Sequence, residues 1–163
     1  EALMKLRILS IGHKMPNWVQ QGFEEYLKRI QPMISVEMVE LPPAKRSKTP
    51  SPAEIDKYKA IEATTILNAK HPKERLWLLE VKGKMLSTEH LSDKLSVAMQ
   101  DGADIALVIG GADGVSPEIL QAADFKWSLS ELTLPHPLVR IIVIEQLYRA
   151  MSLINHHPYH RGG

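Results

Sequence analysis

Ile105–Pro117 reads IALVIGGADGVSP, and this stretch decides the fold. Ile105 to Ile109 is apolar without alternation, the pattern of a strand covered on both faces in a parallel sheet. Gly110-Gly111-Ala112-Asp113-Gly114 then breaks the run. Ser116-Pro117-Glu118 has the form of a helix start: a hydroxyl cap, a proline at the first position and an acid in the first turn. Glycines between a strand and a helix let a ligand approach the backbone and supply amide donors. A tight turn needing positive φ explains them as well. The spacing is neither G-x-G-x-x-G nor a P-loop.

Working outward, the alternation continues. Met4 to Ile11 is a strand candidate stopped by Gly12, and Pro16-Asn17 opens a helix with Val19, Phe23, Tyr26, Leu27 and Ile30 at helical spacing. Ile34 to Leu41 reads as a strand with Glu37 and Glu40 toward solvent. Ala53 to Asn68 reads as a helix with Ile55, Tyr58, Ile61, Thr65 and Ile66 on one face. Leu76 to Val81 is a buried strand ended by Lys82-Gly83. A helix capped by Ser87 or Thr88 carries Leu91, Leu95, Ala98 and Met99. After the glycine turn, Trp127 to Leu134 gives a last short strand and Leu138 to Asn155 a last helix. Strands alternating with helices predict an α/β fold, a mostly parallel sheet with helices on both faces. Its ligand site belongs beyond the carboxyl ends of the strands.

Bulk properties narrow the function. The 163 residues fit one domain, expected over 4–163, with Glu1-Ala2-Leu3 read as a remnant ahead of Met4. No apolar run reaches membrane-spanning length, so no membrane partner is expected. The absence of cysteine excludes a disulfide framework and fits a cytoplasmic protein. A net charge of +1 argues against holding nucleic acid by bulk attraction alone. Local basic clusters remain at Lys45-Arg46-Ser47-Lys48 and in the tail. Pro42 to Pro52 reads as a mobile loop, either a solvated connection or an arm that touches phosphates.

Three further segments bear on chemistry. Leu129 to Leu134 runs into Pro135-His136-Pro137, a stiff loop able to present backbone groups to a ligand, or simply a strand-to-helix turn with His136 in a polar corner. On the last helix Glu145, Gln146, Arg149 and Ser152 share one stripe, and apolar residues cover almost everything else. So apolar a helix must be covered on more than one side, by the sheet and by a second subunit. Arg140 lies opposite the polar stripe, among Ile144, Leu147 and Met151, as either a structural ion pair or a substrate contact. The ending His156-His157-Pro158-Tyr159-His160-Arg161 is a poor metal holder, and no metal is expected. It suits phosphates and a nucleobase better, unless it is a frayed terminus.

At these residues the chain resembles a known family. LVIGGADG (107–114), WSLSELTLPHPLVR (127–140), IEQLYRA (144–150) and the tail PYHR are similar to the RlmH family of small SPOUT methyltransferases. So are IGHKMPNWVQ (11–20), GFEEYLKR (22–29) and LLEVKGK (78–84). The resemblance spans Met4 to Arg161. It implies a C-terminal trefoil knot, a homodimer, and S-adenosylmethionine-dependent methylation of N3 of a pseudouridine in large-subunit ribosomal RNA, on the assembled ribosome. Carried over, cofactor contacts fall on Leu79, Gly110, Gly111, Leu129, Ser130, Glu131, Leu132, Thr133 and Leu134. Arg140, Tyr159, His160 and Arg161 become the catalytic candidates. A Rossmann methyltransferase would place its glycine turn after the first strand, where this chain reads IGHKMP. Two rivals are a different nucleotide-binding enzyme using Gly110 to Gly114, and a non-catalytic RNA- or ribosome-binding module.

Overall fold

A computed structural model of the chain describes residues 3–12 and 14–162; Glu1, Ala2, His13 and Gly163 lie outside them. Five strands form one sheet in the order β2-β1-β4-β3-β5, with every pairing parallel. They are β1 (Lys5–Ile11), β2 (Ser35–Leu41), β3 (Arg75–Met85), β4 (Ile105–Ile109) and β5 (Phe125–Ser128). The helices are α1 (Asn17–Ile30), α2 (Pro52–Ala69), α3 (Thr88–Gln100), α4 (Pro117–Ala122), α5 (His136–Ile154) and a final turn α6 (Tyr159–Gly162). β4 is central, and all five of its residues are buried, as the unalternating run predicted.

Two apolar layers sandwich the sheet. Phe23 and Ile30 of α1, Leu91 and Leu95 of α3, and Val143, Ile144, Leu147 and Met151 of α5 pack on one face. Ala63 and Ile66 of α2 with Ile119 of α4 cover the other. No helix among the described residues is long and apolar enough to cross a membrane.

Four local expectations are corrected. The last strand is Phe125–Ser128, not Trp127 to Leu134. Leu129 to Leu134 leaves the sheet, because Ser128 Oγ donates to Ser130 O (3.1 Å) and Leu132 N donates to Ser130 Oγ (3.0 Å), which turns the backbone. β3 does not stop at Val81. It continues to Met85 through a register shift between Leu79 and Lys84, where Gly83 lies so close to β5 that a Cβ would stand 2.7 Å from the Lys126 carbonyl.

On α2 the buried stripe is Tyr58, Glu62, Ala63 and Ile66, while Ile61 faces solvent. Pro42 to Pro52 is not a loose arm. Ala44 N donates to Glu62 (3.0 Å), Ser47 N donates to Tyr58 Oη (3.0 Å), and Ser51 caps α2 with a reciprocal Glu54 bond. Ser116 does occupy the cap position of α4, but its hydroxyl makes no cap bond.

α5 explains its own composition. It packs against α1, α3 and the sheet at once, so most of its apolar surface is covered inside one subunit, while Leu138 stays exposed. Apolar coverage of this helix therefore does not by itself call for a second subunit.

Candidate active site

The carboxyl ends of β3, β4 and β5 open onto a cavity of about 350 Å³. Leu79 comes from β3, Gly110 and Gly111 from the turn after β4, and Leu129, Ser130, Leu132 and Leu134 from the segment after β5. Trp127, His136, Val139 and the charged Glu80 also line it. Seven of the nine sequence-assigned cofactor residues thus converge on one space; Glu131 and Thr133 do not line it.

The glycine turn is shaped from behind. Gly114 holds φ +82° and donates to Gly111 O (3.1 Å), a backbone that favours glycine. A Cβ on Gly110 would meet Val115 Cγ1 at 2.7 Å, and one on Gly111 would meet Glu62 Oε1 at 2.8 Å. The extra carbon would strike the protein's own second layer. The close approach these glycines demonstrably serve is internal packing.

Asp113 of this turn pairs with Arg46 of the proline-rich segment. Arg46 also lies over the Tyr58 ring, 5.3 Å from its centroid. The segment 42–52 is therefore fastened to the back of the cavity turn. Glu62 and Arg46 were missed as parts of the site. Glu62 carried a signal, since Tyr58, Glu62 and Ile66 recur at four-residue spacing on one helix face. Arg46 was legible only as part of a basic cluster, because its partner Asp113 is distant in sequence.

The catalytic candidates separate into two places. Arg140 is buried below the cavity. Its Nη1 donates to Glu40 (3.1 Å) and its Nη2 to Ser10 Oγ (3.2 Å). Ser10 Oγ also lies 3.0 Å from His136 Nε2, and His136 lines the cavity. Arg140 thus forms an ion pair with Glu40 and is separated from the ligand space by Ser10 and His136. Burial, helped by the nearby Arg140 charge, pushes the His136 imidazole below its ordinary value.

The tail docks elsewhere, on α5 and α3. Tyr159 Oη donates to Glu145 (2.9 Å), its ring packs 4.6 Å from that of Tyr148, and Arg149 covers it at 4.7 Å. His160 bonds Glu89 (2.9 Å), and Arg161 is exposed. Burial and the Glu145 bond push Tyr159 up to about 12, so its hydroxyl is a donor and not a base. The terminus is therefore seated, not frayed. None of its residues lines the cavity of its own subunit. The polar stripe of α5 is its seat, joined by Thr88, whose hydroxyl donates to Gln146 (2.7 Å).

Comparison with known proteins places this architecture. A family described as "Predicted SPOUT methyltransferase" matches residues 4–160. The chain is 66% identical over 161 residues to the ribosomal RNA large subunit methyltransferase H of Psychrobacter sp. (strain PRwf-1), covering 98% of this chain and 99% of the relative. It is 58% identical over 158 residues to the protein of the same name from Acinetobacter baumannii, covering 97% and 99%.

Proposed function

The chain belongs to the SPOUT methyltransferase family, and on that premise we propose that it methylates large-subunit ribosomal RNA with S-adenosylmethionine, at N3 of a pseudouridine. The observation that carries the reading is the convergence of Leu79, the Gly110-Gly111 turn and Leu129 to Leu134 on one cavity at the strand ends. The cavity fits the cofactor in kind: its volume of about 350 Å³ lies in the small-molecule range, with apolar walls and few polar groups. S-adenosylmethionine supplies an electrophilic methyl group when bound.

The chain's own residues do the rest. Leu129, Leu132, Leu134, Trp127 and Val139 provide apolar contact and exclude water. The turn amides and the backbone after Ser128 offer hydrogen bonds, and Glu80 brings one carboxylate to the cavity. The reacting nitrogen must lose its proton and be held in line with the methyl carbon, so most of the rate comes from positioning. Tyr159, His160 and Arg161 serve the RNA, because stacking, imidazole and guanidinium groups recognise unpaired nucleotides. Arg140 acts at one remove, by holding Ser10 and the floor of the cavity.

The tail's seat away from its own cavity favours completion of each site across a homodimer. Trp18 (54% exposed) and Leu138 (42%) leave apolar surface at the starts of the adjacent helices α1 and α5, which suits such a contact. Residues 4–163 act as one catalytic domain, in the cytoplasm where ribosomes are found, and the knot implied by the family resemblance belongs to this reading.

Calorimetry with S-adenosylmethionine, followed by transfer of labelled methyl groups to ribosomes, tests it. Binding with transfer to large-subunit RNA is expected. Affinity for NAD in its place would favour the nucleotide-enzyme rival, and ribosome binding without the cofactor the non-catalytic one.

A further inference from the structure

Below the cavity lies a polar cluster whose protons the methyl-transfer reading leaves unassigned. It joins Ser10 on β1, Glu40 on β2, and His136 and Arg140 at the start of α5. Ser10 is fully buried and Arg140 nearly so. Arg140 Nε finds no partner among the described residues, but the bonds that Ser10 makes are enough to fix its proton and that of the facing imidazole nitrogen.

Ser10 Oγ receives an N–H from Arg140 Nη2, and a guanidinium accepts nothing in return. The hydroxyl proton of Ser10 then has one acceptor among the described residues, His136 Nε2. If Nε2 carried its own proton, Ser10 would face two donors and its own hydrogen would be stranded. An unsatisfied buried donor is strongly disfavoured. Burial and the Arg140 charge both oppose an imidazolium. The ring is therefore neutral, with Nε2 bare and the proton on Nδ1. Nδ1 has no partner among the described residues, and the ring lines the cavity.

We propose that Ser10 locks His136 in the Nδ1–H tautomer, so that His136 donates a hydrogen bond to an acceptor oxygen of the bound ligand. That oxygen is either the cofactor carboxylate or a ring carbonyl of the uracil-type substrate. The proposal rests on the methyltransferase reading. His136 is not the general base, because Nδ1 already holds a proton and Nε2 is engaged. A fixed neutral donor needs no reorganisation as charge develops on a carbonyl oxygen. Ser10 is a positioning residue, since it acts through His136 and touches no ligand.

The tautomer is read directly from nitrogen-15 spectra of the histidine-labelled protein without substrate. A bare Nε2 and a protonated Nδ1 are expected for His136 at neutral pH, with the preference lost in Ser10→Ala. A protonated Nε2 in the parent protein overturns the proposal.

The donor is tested by two replacements that divide the ring's nitrogens. Asn places its amide near Nδ1, and Gln places its amide near Nε2. His136→Asn should retain function within a few-fold. His136→Gln should lose at least about tenfold, the worth of one hydrogen bond to a charged or charging group. The loss falls on S-adenosylmethionine affinity by calorimetry if the acceptor is the carboxylate. It falls on kcat/KM for ribosomes at saturating cofactor if the acceptor is the ring carbonyl. Thermal melts confirm that each variant is folded. If folded His136→Gln keeps both quantities, the donor role is wrong. If the parent protein fails to methylate ribosomes, the methyltransferase reading fails instead, and the spectra still decide the tautomer.

Discussion

The Glu62 carboxylate stands where a side chain on Gly111 would begin: a Cβ there would lie 2.8 Å from Oε1 and 3.1 Å from Ile11 Cγ2. Glu62 is itself buried and held by Ala44 N. Gly111→Ala should therefore cost stability as well as cofactor binding, at about 1–3 kcal/mol for an overpacked site. Chemical denaturation measures the first and calorimetry the second. Glu62→Ala removes the obstacle, so the double variant should lose less than the sum of the singles, with a coupling of roughly 0.5–3 kcal/mol. Strict additivity would show that the carboxylate does not shape the turn.

The Arg46–Asp113 pair is partly exposed, with side chains 33% and 26% accessible, and pairs of this kind contribute little to stability. Arg46→Ala should scarcely move the melting temperature. It should release the segment around Ser47, whose amide is otherwise held by Tyr58. Faster hydrogen exchange at Ser47, with global stability kept, is the expected result. Lys45 and Lys48 flank the pair, so the same change should also weaken the salt-dependent part of ribosome affinity.

Why some of this was legible is a matter of range. β4 and its glycine turn were readable because an unalternating apolar run and a turn are local signals. The segment after β5 misled, because Leu129, Leu132 and Leu134 look strand-like in one dimension. Their apolar faces serve a cavity, not a ladder. Composition could show that α5 needed covering but not that α1 and α3 cover it. The Ser10–His136 contact spans 126 positions, and no local pattern encodes it. The seat of the tail was hidden in the same way, although the polar stripe of α5 that receives it was visible on the helical wheel.

Two partly buried groups, His136 and Glu74, contribute to the acid limb of stability. His136 is held below its ordinary 6.5, chiefly by burial and then by Arg140, so the unfolded chain binds its proton first as pH falls. Stability should decline from near 6.5 downward, through the window that ends at the lowered native value. Burial works against the charge of Glu74, but hydrogen bonds from Arg7 (2.7 and 2.8 Å) and His71 N keep it net below 4.5. Its contribution is present above 4.5 and is lost as pH falls through the native value. Urea midpoints measured from about pH 8 to about pH 3 should fall in two stages. His136→Asn should remove the upper stage, and Glu74→Gln the lower.

The tail carries the sharpest test of how the site is completed. Tyr159 Oη bonds Glu145, and its ring lies between Tyr148 and Arg149, so its seat is built from α5 and not from the cavity wall. Removing Pro158 onward should leave S-adenosylmethionine affinity nearly unchanged, because Leu79, Gly110, Gly111 and Leu129 to Leu134 are untouched. Methylation of ribosomes should fall by orders of magnitude, since the target ring would no longer be held in line. Tyr159→Phe keeps the ring contacts and deletes the bond to Glu145, so it should cost about 1 kcal/mol of stability. Its effect on rate should be smaller than that of Arg161→Ala, whose exposed guanidinium is free to meet phosphate. Mixed dimers pairing a tail-deleted subunit with a cavity-blocked one then assign the geometry. If each tail completes the other subunit's site, the intact cavity and the intact tail meet at one site in every such dimer. That pairing should restore about one site per dimer, whereas tails acting only on their own subunit should leave the mixture inactive.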